Sequence, residues 1–226
     1  MDQGAKSYAA EFIGTFTLCF IGQGAICTLN LLGGSGADLL PIAAAHGLAL
    51  CVMVSALGAV SGGHFNPAVT FGFLVTGRQK LPSAIAYALS QLLGAVAASA
   101  LLAGMFPETV RAATHLGAAV RDAAISAPWA VVIEAVLTFF LATAVWGTAV
   151  DARGPKIGGF AIGLAVMMDI LMGGPLTGAA MNPARAFGPA LVSGLWRDHW
   201  VYWVGPLLGG AAAALVYRDV ILPARG

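Results

Sequence analysis

Charge is what this sequence has least of. Only 21 of 226 residues are formally charged, 11 Lys+Arg and 10 Asp+Glu, against about 25% in an average soluble domain. So few charges cannot cover a globular surface of this size, which excludes a soluble protein. The net charge of +1 leaves no basic excess for nucleic acid. Cysteine is scarce as well. Cys19, Cys27 and Cys51 are odd in number and lie in apolar stretches. They read as small buried hydrophobes, with no disulfide and no metal. No Ser–His–Asp set, phosphate loop or metal-ligand cluster stands out, so neither an enzyme nor a cofactor is expected. After Lys6 the apolar sequence shows no small-residue cleavage site followed by polar residues, so no cleaved leader is expected.

Apolar residues and glycine fill the space instead. Hydrophobic residues make up 59% and glycine 30 of 226 positions, and the mean hydropathy is +0.86. Glycine lets helices approach closely within a bilayer. Residues 12–37, 39–77, 81–107 and 199–217 hold no Asp, Glu, Lys or Arg. A spanning helix needs about 20 apolar residues. The sequence thus predicts an all-α membrane protein with spans near 8–30, 39–59, 83–105, 128–149, 157–174 and 199–218. Two apolar stretches, 66–77 and 182–193, are each about 18 Å long as helices, enough to reach only halfway. With both termini inside, seven Lys/Arg (Lys6, Arg78, Lys80, Arg153, Lys156, Arg218, Arg225) face the cytoplasm and four (Arg111, Arg121, Arg185, Arg197) face out. That bias places both termini in the cytoplasm.

The chain repeats itself. At a shift of 116, Gly47-Leu48-Ala49 meets Gly163-Leu164-Ala165, Ser61-Gly62 meets Thr177-Gly178, and Phe71-Gly72 meets Phe187-Gly188. Asn66-Pro67-Ala68 meets Asn182-Pro183-Ala184 at the same shift, and at 115 Leu92-Leu93-Gly94 meets Leu207-Leu208-Gly209. Glu11 and Glu134 also correspond. The whole chain, 1–226, reads as one transmembrane domain with repeats over about 8–105 and 128–218. Three spans per half force the second repeat to enter from the opposite face, and inverted repeats carry their site near the midplane. The two short stretches then meet there. Non-helical backbone at that depth must line a water-filled cavity or be buried in protein.

Asn is a preferred N-cap and Pro a preferred first helical residue, so Asn66-Pro67 and Asn182-Pro183 each start a helix at the midplane. The cap occupies the Asn oxygen and leaves its amide as a pure donor toward the lumen. A water accepting from both Asn66 and Asn182 must point its own hydrogens away along the pore. The positive ends of the two half-helices disfavour cations there. Arg185 sits early in the second half-helix, where positive charge is electrostatically wrong, and its repeat counterpart is Val69. A costly charge that breaks the repeat is a functional candidate.

At Ser61-Gly62-Gly63-His64-Phe65-Asn66-Pro67-Ala68-Val69-Thr70 and Met181-Asn182-Pro183-Ala184-Arg185-Ala186-Phe187-Gly188-Pro189 the sequence resembles the aquaporin family (major intrinsic proteins). The resemblance covers roughly 8–220. It implies six tilted helices plus two re-entrant half-helices, a homotetramer, and one pore per subunit for water and small neutral solutes. It also implies an outer selectivity filter of His46, Ile170, Ala179 and Arg185. That quartet is similar to plant tonoplast intrinsic proteins, which conduct water and often ammonia. In some of these a loop His packs near the filter Arg, a role that would fall here to His115. The resemblance gives His64 a pore-lining place and Glu11 and Glu134 the structural task of bonding the re-entrant loops. Ala186 stands where the glycerol branch carries Asp and where Ser is familiar, and Tyr202-Trp203 matches the water branch. A polyol facilitator is the alternative, and an ion-coupled transporter or a scaffold ranks lower. Asp169, beside Ile170, stands where related tonoplast channels tend to have Asn, and a buried carboxylate needs a partner or a proton. It is a candidate for filter support or a structural bond. Short termini and Ala/Gly richness suggest a prokaryotic inner membrane.

Overall fold

The computed structural model describes residues 4–34 and 38–222. Arg225, counted above toward the cytoplasmic charge, lies outside them. Nine α-helices are described: α1 Ala5–Leu31, α2 Leu39–Ser61, α3 Pro67–Val75, α4 Leu81–Met105, α5 Glu108–Thr114, α6 Ala127–Val145, α7 Gly158–Thr177, α8 Pro183–Ser193 and α9 Val201–Val216. One π-helical turn extends α6 through Val150 and another extends α9 through Ile221. Six of these helices, extensions included, are long and apolar enough to cross a membrane. α3 and α8 are the two short segments, and there is no strand among the described residues.

The repeat is legible in the packing. α1 lies on α2 and α4, α6 on α7 and α9, and the halves join where α2 crosses α7, where α8 packs on α4 and where α3 packs on α9. The α2–α7 crossing is a glycine contact. A Cβ on Gly47 would stand 2.6 Å from the Gly163 carbonyl oxygen, and Gly163 faces Gly47 in return. The outer surface is inverted relative to a soluble protein. Repeat partners Leu48 and Leu164, and Leu93 and Leu208, are exposed to the lipid side. Polar side chains such as Glu11, Gln23, Gln91 and Glu134 are fully buried.

α5 was not expected. The chain between the third and fourth spans reads as loop, yet Pro107 opens a short helix with Glu108 in its first turn and an Arg111–Glu108 ion pair. A carboxylate at a helix N-terminus is favourable. Val110 and Leu116 bury against Cys27 and Leu102 of α1 and α4, which anchors the segment. On the outer side, Arg121 pairs with Asp198 at 2.7 Å and so ties two loops together. On the other side Asp151 follows the π-turn of α6. The Arg153 guanidinium beside it holds its carboxyl down to about 2.

Candidate functional site: a passage between two half-helices

Both half-helices begin as the residue types require. Asn66 is extended, and its Oδ1 accepts from the Ala68 N–H at 2.8 Å. Asn182 is extended too, and its Oδ1 accepts from Ala184 N at 3.0 Å and Arg185 N at 3.3 Å. The amides correct one expectation. Each is not wholly free for the lumen. Asn66 Nδ2 donates to the Met181 carbonyl at 2.8 Å, and Asn182 Nδ2 donates to the Phe65 carbonyl at 2.8 Å. An amide has two N–H bonds, so each Asn keeps one for the lumen. The exchange staples one repeat to the other. It requires Phe65 and Met181 to turn their carbonyls across the midplane, and both adopt positive φ, 46° and 51°. Positive φ at a bulky residue costs about 1–2 kcal/mol, which the new bonds offset.

Glu11 and Glu134 hold those turns. Glu11 Oε1 accepts from Ser61 Oγ (2.6 Å) and His64 N (3.0 Å). Its Oε2 accepts from Phe65 N (2.6 Å) and Gln91 Nε2 (2.7 Å). Glu134 repeats the pattern with Thr177 Oγ1 (2.7 Å), Ala180 N (3.0 Å) and Met181 N (2.7 Å). A trans peptide sets its carbonyl opposite its N–H. With the N–H groups of 64, 65, 180 and 181 aimed at carboxylates, the carbonyls of 63, 64, 179 and 180 turn the other way, toward the cavity these residues line. The result is a ladder of acceptors on both sides of the Asn pair.

Two cavities run through the centre. The inner one leaves about 20 Å³ for the centres of water-sized particles, and Asn66, Asn182, His64 and Ala179 are among its lining. One water needs about 10–15 Å³, so only a single file fits. The outer cavity, 180 Å³, opens toward Thr114 and Gly117. The two share His46, Ile170 and Arg185. Those three therefore form the narrowing between them, with Ala179 just inside. Three of the four expected filter residues thus line both cavities, and Ala179 lines only the inner one. Arg185 keeps Nε and Nη1 without a protein partner, and His46 keeps Nε2 so. His46 Nδ1 lies 2.8 Å from the Ile42 carbonyl. A carbonyl only accepts, so Nδ1 carries the proton and Nε2 of the neutral ring is an acceptor. His64 is among the residues lining the inner cavity. Its Nδ1 lies 3.1 Å from Thr70 Oγ1, and that hydroxyl donates to the Asn66 carbonyl.

His115 is placed otherwise than expected. It is exposed, caps α5 at φ 46°, and does not line the outer cavity. Leu116 and Gly117 turn inward instead, because the apolar side chain seats against α1 and α4. Asp169 is buried at 2% exposure beside Ile170, and its Oδ2 has no partner. A carboxylate left so is costly. Asp169→Asn should therefore stabilise the protein by about 1–2 kcal/mol, several degrees in Tm. A lower Tm of the variant would instead show that the acid stabilises the fold.

Several contributors escaped the sequence reading. Gln23 Nε2 donates to the Arg185 carbonyl at 3.0 Å, and Ser99 Oγ donates to Gln23 Oε1 at 3.1 Å. This clamp fixes the backbone under the filter arginine. Tyr87 and Tyr202 donate to the Ser61 and Thr177 carbonyls at 2.7 and 2.8 Å. They are repeat partners at the shift of 115, a signal present in the sequence.

This architecture defines an integral multi-pass membrane protein of two inverted repeats, with a narrow polar-lined passage where two re-entrant half-helices meet. Comparison with known proteins agrees. The family described as Major intrinsic protein matches residues 2–217, and the chain belongs to that family. Aquaporin TIP4-4 of Zea mays is 48% identical over 98% of this chain and 88% of its own. The probable aquaporin TIP3-2 of Arabidopsis thaliana is 44% identical over 96% and 84%. The X-ray structure of the aquaglyceroporin from Plasmodium falciparum superposes with a TM-score of 0.86 at 27% identity, covering 96% of this chain and 97% of that one. The plant relatives lend no support to the prokaryotic inner membrane expected from compactness.

Proposed function

We propose that this chain is a passive water channel that excludes protons and ions and also admits other small neutral solutes such as ammonia. The cross-stapled Asn pair carries the reading. Both oxygens are spent on caps, both amides are half spent on the opposite repeat, and one N–H from each remains for the lumen. A water there accepts twice and points its hydrogens outward, toward the carbonyl ladders. A chain of waters thus reverses orientation at the Asn pair and cannot relay a proton through it. The N-termini of α3 and α8 add positive potential at the same height. At the outer narrowing, Arg185 offers donors and His46 an acceptor, and Ile170 supplies an apolar wall; selectivity follows from width, donors and field. His46, Ile170, Ala179 and Arg185 form the filter, His64 lines the inner mouth, and Glu11 and Glu134 are structural. The Lys/Arg bias supports cytoplasmic termini. In this reading part of each subunit's apolar outer surface packs against its neighbours in a homotetramer, one pore per subunit, and residues 1–226 form one channel domain.

The test is stopped-flow light scattering of proteoliposomes. Against impermeant sucrose the vesicles should shrink much faster than empty liposomes. Against glycerol no protein-dependent re-swelling should follow. Glycerol re-swelling at a rate comparable to shrinkage would establish the polyol facilitator instead. Flux dependent on voltage or a pH gradient would establish a coupled transporter.

A further inference from the structure

We infer that Gly22, on α1, is a specificity-determining position. It is the seat into which the His46 ring withdraws, and so it sets the bore of the outer narrowing. The inference rests on the water-channel reading for its flux readout.

A Cβ placed on Gly22 would stand 2.6 Å from Cγ of His46 and closer still to Nε2 and Cδ2. Non-bonded carbon atoms rest at about 3.5–4.0 Å. The clash covers a whole ring edge, from Cγ outward, so rotating a flexible tip does not relieve it. The ring is also held by its Nδ1 bond to the Ile42 carbonyl. α1 stands behind it, and the passage it shares with Ile170 and Arg185 stands in front. Displacement from α1 is displacement into the lumen.

The second repeat supplies an internal control. Glu11 and Glu134 align at a shift of 123, which pairs Gly22 of α1 with Val145 of α6. His46 pairs with Ile162 at the shift of 116. Val145 and Ile162 both line the inner cavity. Where the α2/α7 position holds a branched aliphatic side chain, the facing helix carries a full Val. Where it holds an imidazole, the facing helix carries no side chain. Neighbouring Gln23 grips the Arg185 carbonyl, so consecutive residues of α1 position both polar sides of the filter.

The experiment compares wild type, Gly22→Ala, His46→Ile and the double variant in proteoliposomes, with thermal midpoints on the same four proteins. Gly22→Ala should lower water flux about tenfold, equivalent to roughly 1.4 kcal/mol on the barrier. The double variant, which imitates the inner pair, should conduct within about twofold of His46→Ile alone, a barrier difference well below 1 kcal/mol. If Gly22→Ala fails to fold but the double variant folds and conducts, the conflict is with the ring and the inference holds. Unchanged flux in Gly22→Ala overturns it. A double variant as impaired as Gly22→Ala also overturns it, since residue 22 would then be small for helix packing alone. Absence of water flux in the wild type would count against the channel reading only. The thermal midpoints would then decide the seat: Gly22→Ala lowers Tm, and His46→Ile restores it.

Discussion

Glu11→Leu should leave no folded channel to assay. The carboxylate accepts from four buried donors, the Ser61 hydroxyl, the His64 and Phe65 amides and the Gln91 side chain. Each donor left unpaired in a buried place costs about 1–3 kcal/mol. Four together reach about 4–12 kcal/mol, which rivals the whole stability of a typical protein, about 5–15 kcal/mol. The damage would also be directed. Phe65 is held at positive φ, and without the bond from its amide the Phe65 carbonyl no longer meets Asn182. The staple between the repeats then opens on that side. Glu11→Gln should be milder for a specific reason. Its oxygen keeps two donors, and its new amide faces Gln91, whose Oε1 is buried without a partner. A flip of the Gln91 amide would let that oxygen accept. The Phe65 amide is then orphaned and Gln91 gives up its bond to Thr70 Oγ1, a smaller loss than four unpaired donors. Size-exclusion profiles after a heating series rank the three proteins. Wild type should survive longest, Glu11→Gln less long, and Glu11→Leu should be aggregated from the start. Equal survival of Glu11→Leu would contradict a structural role for the acid.

Much of this was legible in the sequence because it depends on local rules. An Asn-Pro pair dictates an N-cap wherever it occurs, and two apolar segments of half a bilayer's length dictate re-entry. The shift of 116 then fixed which residues meet. Glu11 and Glu134 correspond at a different shift, 123, as acids early in the first helix of each half. The parts that escaped depend on neighbours far apart in the chain. The second N–H of each Asn is claimed by a carbonyl more than 100 residues away, at Met181 or Phe65. Gln23 reads as an isolated polar residue in an apolar helix until α8 is laid beside it. His115 reads as a filter partner by loop resemblance, but the short helix α5 turns it outward while Leu116 takes the buried place. Such a turn depends on which side chain the groove between α1 and α4 accepts. The vacancy at Gly22 is informative only once His46 is known to face it.

Arg185→Val should keep the fold and lose the selectivity. The two backbone bonds at this residue do not involve its side chain. Asn182 Oδ1 accepts from its amide and Gln23 donates to its carbonyl, so the start of α8 stays in place. What disappears is the guanidinium, whose Nε and Nη1 have no protein partner. Val is the residue that the first repeat carries at the matching position, Val69, so the substitution restores the symmetry the arginine breaks. The narrowing then consists of His46, Ile170 and a short aliphatic side chain. Water should still pass. Glycerol and urea should re-swell vesicles at least about tenfold faster than in wild-type vesicles, the effect of roughly 1.4 kcal/mol on a barrier. Cations should also leak. The positive charge that faced the narrowing is gone. An entrapped pH-sensitive dye under a potassium diffusion potential reports that leak directly. The half-helix termini and the Asn pair remain, so the proton barrier at the midplane should fall only in part. Continued exclusion of both solutes by a folded Arg185→Val channel would move the filter away from the narrowing that His46, Ile170 and Arg185 enclose.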